Sequence, residues 1–133
     1  MPSQTAEDYL ERIYELIESK GYARVADIAV SLGIAQPTVT RMVQKLGGEG
    51  YLDYERYRGM NLTNKGRAVA EKIRRRHRTL AAFFQLMGLK PADALQEVDG
   101  IEHHLSELAI ERLERLVAYL KQHKDVVKRL NAR

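Results

Sequence analysis

Six side chains in this sequence combine the residue types and the spacing that hold divalent cations. Asp8 and Glu11 stand three residues apart, so on a helix both project from one side. Asp99, Glu102 and His103 stand at i, i+3 and i+4 and share one face of a helix opened by Pro91. His77 falls in the apolar stripe of a third helical run. Three segments thus offer four carboxylates and two imidazoles. Each residue also has an ordinary reading. Thr5-Ala6-Glu7-Asp8 loosely fits a capping box, which would make Asp8 a helix cap. Glu11 beside Arg12 and Glu15 could lie on an exposed face, and a histidine in an apolar stripe can be a hydrogen-bonded core residue. The residues gain weight only as a set.

A second group of side chains suits nucleic acid. Apolar residues at helical spacing predict a first helix from Thr5, carrying Ala6, Tyr9, Leu10, Ile13, Leu16 and Ile17 and ending at Gly21. A short helix with Val25, Ile28, Ala29 and Leu32 inward stops at Gly33. After the turn Ile34-Ala35-Gln36, Pro37 opens another, with Val39, Met42, Val43 and Leu46 inward and Gly47-Gly48 at its end. This pair is a helix-turn-helix. Its second helix turns Gln36, Thr38, Thr40, Arg41, Gln44 and Lys45 outward, groups that bond to base edges and phosphates in a major groove. Tyr51 to Glu55 and Met60 to Thr63 alternate like strands around the tip Arg56-Tyr57-Arg58-Gly59. A hairpin there is a wing, with Arg56, Tyr57 and Arg58 placed to touch DNA.

The elements that remain are helical. A long helix from Asn64 to Gly88 carries Val69, Ile73, His77, Leu80, Phe84 and Met87 in one stripe. The helix after Pro91 has Leu95, Val98, Ile101 and Leu105 on one face, and Ser106 can cap a last long helix with Ile110, Leu113, Val117 and Leu120 inward. The basic tail after Lys121 is weakly periodic and reads as frayed. The fold class is therefore mainly α with a small β-hairpin. Residues 1–71 form a winged helix-turn-helix DNA-binding domain, and 72–133 a helical metal-binding and dimerisation domain. Leu80, Phe84 and Met87, with Leu95, Val98 and Ile101, leave more apolar face than one small lobe covers, so a homodimer is expected.

Composition narrows the function. The 133 residues carry a net charge of +4, but residues 36–76 hold ten basic and four acidic side chains, whereas residues 88–120 hold three and seven. A basic middle between two acidic stretches, 1–35 and 88–120, suits one surface for a polyanion and another for cations. The chain has no cysteine, which excludes disulfides, thiolate nucleophiles, zinc fingers and iron–sulfur clusters. No run approaches the ~18 apolar residues of a membrane span, and the N-terminus lacks an export signal, so a soluble cytoplasmic protein with no membrane partner is expected. A helical di-metal enzyme is disfavoured because no acid or base is evident beyond the six donors. A winged-helix regulator sensing a non-metal ligand is the remaining alternative.

The sequence resembles the diphtheria toxin repressor family of metal-dependent transcriptional repressors, and most closely its manganese branch. The resemblance spans nearly the whole chain. It is carried by Glu7-Asp8-Tyr9-Leu10-Glu11-Arg12-Ile13-Tyr14, Lys20-Gly21-Tyr22-Ala23-Arg24-Val25, Met42-Val43-Gln44-Lys45-Leu46, Tyr57-Arg58-Gly59 with Leu62-Thr63 and Lys65-Gly66, and Val98-Asp99-Gly100-Ile101-Glu102-His103-His104-Leu105. It implies metal ligation by Asp8, Glu11, His77, Glu102 and His103, in a two-metal site with bridging carboxylates, and a dimer. At Asp99 the resemblance implies a glutamate in the manganese branch, so the donor type is kept with one methylene less reach.

The resemblance further implies that the iron-sensing branch has a methionine and a cysteine at the positions of Asp8 and Asp99. Hard carboxylates there suit Mn²⁺ better than sulfur would. Four carboxylates also balance two divalent ions, whereas one ion would leave a net charge of about −2 in a partly buried place. The expected cofactor is Mn²⁺, two per subunit, with Fe²⁺, Co²⁺, Cd²⁺ or Zn²⁺ able to take its place. The expected partners are double-stranded operator DNA and a second copy of the chain, with no organic ligand. The resulting expectation is a repressor of manganese uptake genes that binds palindromic operators as a dimer when Mn²⁺ occupies a site between its two domains.

Overall fold

The computed structural model describes residues 2–55 and 59–132. It divides into two compact units, Met1–Lys72 and Ile73–Arg133. No helix among the described residues is long and apolar enough to cross a membrane.

In the first unit, α1 (Gln4–Lys20) is capped by Ser3, whose hydroxyl accepts from the Ala6 N–H at 3.1 Å. Ser3 therefore takes the capping role that the sequence offers to Asp8, and the helix begins one residue before Thr5. α2 (Val25–Leu32) ends at Gly33, and α3 (Gln36–Gly48) has Pro37 in its first turn, where a missing N–H costs nothing. α3 ends at Gly48, where the Gly47-Gly48 pair predicts its end. The reversal comes at Gly50, whose φ of 86° is the left-handed conformation that side chains resist.

The hairpin follows. β1 (Leu52–Glu55) pairs antiparallel with β2 (Gly59–Leu62), in register from Leu52 opposite Leu62 to Glu55 opposite Gly59. The expected wing tip, Arg56, Tyr57 and Arg58, lies outside the described residues. Thr63, just past β2, serves both hairpin and helix: its N–H donates to the Tyr51 carbonyl at 3.2 Å. Its Oγ1 accepts from the Gly66 N–H at 3.1 Å and donates to the Gly50 carbonyl at 2.7 Å, which starts α4 (Asn64–Leu86) and ties it to the turn before β1. A Cβ on Gly66 would run into the carbonyl of Tyr51, so only glycine allows the first turn of α4 to approach so closely.

One apolar cluster holds this unit together. α1 contributes Tyr9, Leu10, Ile13 and Leu16; α2 and α3 add Ile28, Val39, Val43 and Leu46; the hairpin adds Leu52, Met60 and Leu62. Burial of each such Leu or Ile stabilises the fold by about 1.5–3 kcal/mol before entropy is counted. With their inward faces spent on this core, the helices present their polar faces to water.

The second unit contains the later part of α4, then α5 (Pro91–Ile101), α6 (Glu107–Gln122) and α7 (Lys124–Asn131). Ser106 caps α6 by accepting from the Ala109 N–H at 3.1 Å. The tail expected to fray is helical instead. The Asn131 side-chain amide donates to the Leu86 carbonyl at 3.0 Å, giving one of the last carbonyls of α4 a partner and anchoring α7. α5 also ends earlier than its face predicts, since Glu102 is its C-cap and His103, His104 and Leu105 lie in the turn before α6.

The core here is small. Leu80, Val98 and Ile110 form its buried cluster, with Phe84, Ile101, Leu105 and Leu113 packed against it. Leu80 and Val98 are thus satisfied inside their own unit and are not spare apolar surface. The exposed large apolar side chains of this unit are Met87, Leu95, Leu108, Leu116, Tyr119 and Leu130.

Candidate functional site

The first unit presents the expected reading face. Val39, Val43 and Leu46 fix the rotation of α3 by being buried, which turns Gln36, Thr38, Arg41, Gln44 and Lys45 to solvent and leaves Thr40 half-buried. Beside this helix lies a groove of about 710 Å³ lined by Arg24, Val25 and Ala26 at the start of α2, Gln36, Thr40 and Gln44 of α3, and Tyr54 and Gly59 of the hairpin. Arg24 stands with its guanidinium 5.0 Å from the Tyr22 ring centre, a cation–π contact at the groove's edge. Sequence reasoning had not singled out Arg24 or Tyr54, because neither lies on the recognition helix and only the folded hairpin brings Tyr54 beside it.

Asp8 and Glu11 are half-buried on α1, in the same unit. Their neighbour Tyr9 points into the core, and burial raises its phenol above the ordinary range.

The second unit brings together three of the expected cation donors. Glu102 is only 4% exposed. Its Oε2 lies 3.2 Å from His77 Nδ1, and its Oε1 lies 3.5 Å from His103 Nε2. The His103 side chain is 4% exposed and that of His77 34%, so the cluster is closed on one side and open on the other. Asp99, in the last turn of α5, has its side chain in solvent. A buried carboxylate with an imidazole at each oxygen is a donor set that fits a divalent cation of intermediate hardness.

Sequence reasoning missed the residue next to His77. Arg76 is buried, and its Nη1 donates to the Glu102 carbonyl at 3.1 Å and to the Leu105 carbonyl, while Nη2 meets Glu107 Oε1 at 2.7 Å. In the run Arg74-Arg75-Arg76 nothing in the sequence separates the inward arginine from the outward ones. Arg75, by contrast, pairs at the surface with Glu114, its Nε at 2.9 Å from Oε2. That hydrogen bond, with the attraction of the two charges, holds the Glu114 carboxyl below its usual range and raises Arg75.

A helix-turn-helix with a wing, followed by a helical unit with a buried carboxylate–imidazole cluster, defines the class: a DNA-binding, metal-responsive regulator. The comparisons agree. The model described as "Iron dependent repressor, N-terminal DNA binding domain" matches residues 1–60, and "Iron dependent repressor, metal binding and dimerisation domain" matches residues 63–130. The HTH-type transcriptional regulator MntR of Listeria monocytogenes serotype 4a (strain HCC23) is 46% identical over 132 residues, covering 99% of this chain and 93% of the relative. The regulator of the same name from Geobacillus kaustophilus (strain HTA426) is 49% identical over 122 residues, 92% of this chain and 86% of the relative.

Among solved structures, that of the manganese regulator SloR is 31% identical with a TM-score of 0.74, covering 86% of this chain and 54% of the other. One described as a manganese-dependent transcriptional repressor in complex with manganese is 27% identical with a TM-score of 0.77, covering 86% and 53%. The chain therefore spans about half the length of these two structures. The chain belongs to the iron-dependent repressor family, which is the diphtheria toxin repressor family of the resemblance. It is a metal-responsive transcriptional repressor with a DNA-binding and a dimerisation domain, and its family consists of regulators, not enzymes.

Proposed function

We propose that this chain represses manganese uptake genes, binding palindromic operator DNA as a homodimer when Mn²⁺ is present. The ligands are Asp8 and Glu11 from the DNA-binding unit and His77, Asp99, Glu102 and His103 from the second, holding two ions per subunit. The observation that carries the reading is the buried Glu102 carboxylate with an imidazole nitrogen near each of its oxygens. Bound divalent ions would supply the positive charge that lets four carboxylates share one place.

The residues themselves account for the coupling. Asp8 and Glu11 lie on α1, whose opposite face is the core of the helix-turn-helix, so whatever fixes these two carboxylates fixes the recognition helix as well. Without cations the carboxylates repel one another and the DNA-binding unit samples many orientations. With them, one orientation is selected, in which the recognition helices of two subunits meet successive major-groove faces. By linkage, DNA tightens Mn²⁺ binding by the factor with which Mn²⁺ tightens DNA binding. Exposed Leu108, Leu116 and Tyr119 on α6, with Met87 and Leu95, supply apolar surface for the partner subunit.

The test is a titration of the chelated chain with Mn²⁺, Fe²⁺, Zn²⁺ and Co²⁺, reading stoichiometry and DNA binding together. The DNA probe is a duplex selected from a random-sequence pool on the Mn²⁺-loaded protein. Two Mn²⁺ per subunit and a metal-dependent rise in affinity are expected. Unchanged affinity on adding Mn²⁺, or a pool that yields no preferred sequence, would sink the reading, and full DNA binding with one Mn²⁺ per subunit would remove its two-ion part.

A further inference from the structure

The turn that carries Glu102 and His103 is held by an arginine that no part of the functional reading uses. α5 ends at Ile101, and the carbonyls of Glu102 and Leu105 fall in the gap before Ser106 caps α6, where a helix offers them no N–H partner. Both are met by Nη1 of Arg76, while Nη2 takes the carboxylate of Glu107 in the first turn of α6. The planar guanidinium spans the turn from its first residue to the residue after its last. Its Nε has no partner among the described residues, so the turn has the whole of this buried fork's hydrogen bonding.

The adjacent residue completes the arrangement. Neighbours on a helix point about 100° apart, so α4 can present Arg76 to the backbone of Glu102 while it presents His77 to the carboxylate of the same residue. One helix thereby fixes both ends of Glu102: the main-chain oxygen at 3.1 Å from Nη1 and Oε2 at 3.2 Å from His77 Nδ1.

We propose that Arg76 is a positioning residue for the metal site, setting the turn so that the Glu102 and His103 donors are in place before an ion arrives. The inference rests on the functional reading above. Groups that orient a metal's ligands without touching the metal change affinity by about 10- to 100-fold when removed. A lysine at this position keeps the charge but lacks the fork, and serves one carbonyl in place of both.

The experiment uses the full chain. Mn²⁺ affinity is read from the electron paramagnetic resonance signal of the free ion, and site geometry from the visible spectrum of the Co²⁺ form. Circular dichroism and sedimentation report fold and assembly. Arg76→Met is expected to weaken Mn²⁺ binding by about 10- to 100-fold and to shift the Co²⁺ bands, with Arg76→Lys in between. Arg75→Gln, which breaks only the surface pair with Glu114, is expected to leave both readouts as in the parent. If Arg76→Met does not fold, Arg76→Lys decides by the same two readouts.

Folded variants of Arg76 that match the parent in Mn²⁺ affinity and Co²⁺ spectrum overturn the proposal, even if their melting temperature falls, because a purely structural arginine behaves that way. A shift of equal size in Arg75→Gln overturns it as well. A parent chain that binds no Mn²⁺ overturns the functional reading together with this one, so the two failures are distinguishable.

Discussion

The two units solve the problem of a stable interior in opposite ways. The first gathers side chains from three helices, both strands and the start of α4 into one apolar cluster. Among the described residues it contains none of the buried polar or charged side chains. Arg76, Thr79 and Glu102 all lie in the second unit, whose own buried cluster is Leu80, Val98 and Ile110. Six large apolar side chains are exposed there, against Tyr22 and Val30 in the first. An apolar core specifies a shape that needs nothing from outside. A small core with a buried carboxylate and exposed apolar side chains in the same unit leaves charge and surface that a cation and a partner can cover.

The largest expected effect breaks the self-sufficient half. Leu10→Ala, at a side chain with no exposure, should cost about 2–5 kcal/mol in urea-induced unfolding. A loss below 1 kcal/mol would mean that the first unit's core is looser than its packing indicates. Next is the half that depends on a ligand. Glu102→Ala should reduce the Mn²⁺-induced gain in DNA affinity about 100-fold or more, measured by fluorescence anisotropy on the selected duplex. Metal-free folding should change little, because the mutation removes a buried charge rather than apolar packing.

A third change separates the partner surface from the cation. Leu116→Asp on the exposed side of α6 should shift sedimentation toward the monomer and weaken DNA binding by about 10-fold, as one half-site is lost. Mn²⁺ binding should persist. The smallest effect concerns Arg75 and Glu114. The Glu114 carboxyl is held below its ordinary value near 4.5, so the pair's contribution is present above that pH and is lost as pH falls through the depressed folded value. After screening at this largely exposed site it amounts to a few tenths of a kcal/mol. Glu114→Gln should flatten that part of the acid-stability curve and leave stability at pH 7 nearly unchanged.

The same contrast explains what could be read from the sequence. α1, α2 and α3 follow from apolar spacing, because their inward faces meet a core made of the same residues that set the period. The end of α3 is legible in Gly47-Gly48 too, although the left-handed residue that reverses the chain comes two positions later, at Gly50. α7 was missed because its anchoring rests on a long-range hydrogen bond from Asn131 to Leu86, which no local pattern records.

In the candidate site, His77, Glu102 and His103 were legible as a set of donor types. The turn that bears two of them was not, because α5 stops at Ile101 and leaves Glu102 as a cap. Arg76 was invisible for a related reason. Its inward orientation depends on where the turn's unpaired carbonyls lie, and these exist only in the folded chain.

The seam at Gly66 has a mechanical meaning. With no side chain between them, the first turn of α4 rests on the Tyr51 carbonyl, and Lys65 reaches back to the Glu49 carbonyl at 3.0 Å and lies 4.3 Å from the Tyr51 ring centre. The hairpin has no lever arm of its own at that end: it is geared to α4. The first turn of α4 and the base of the hairpin are thus packed as one piece, so a rotation of that turn would carry the strand ends with it.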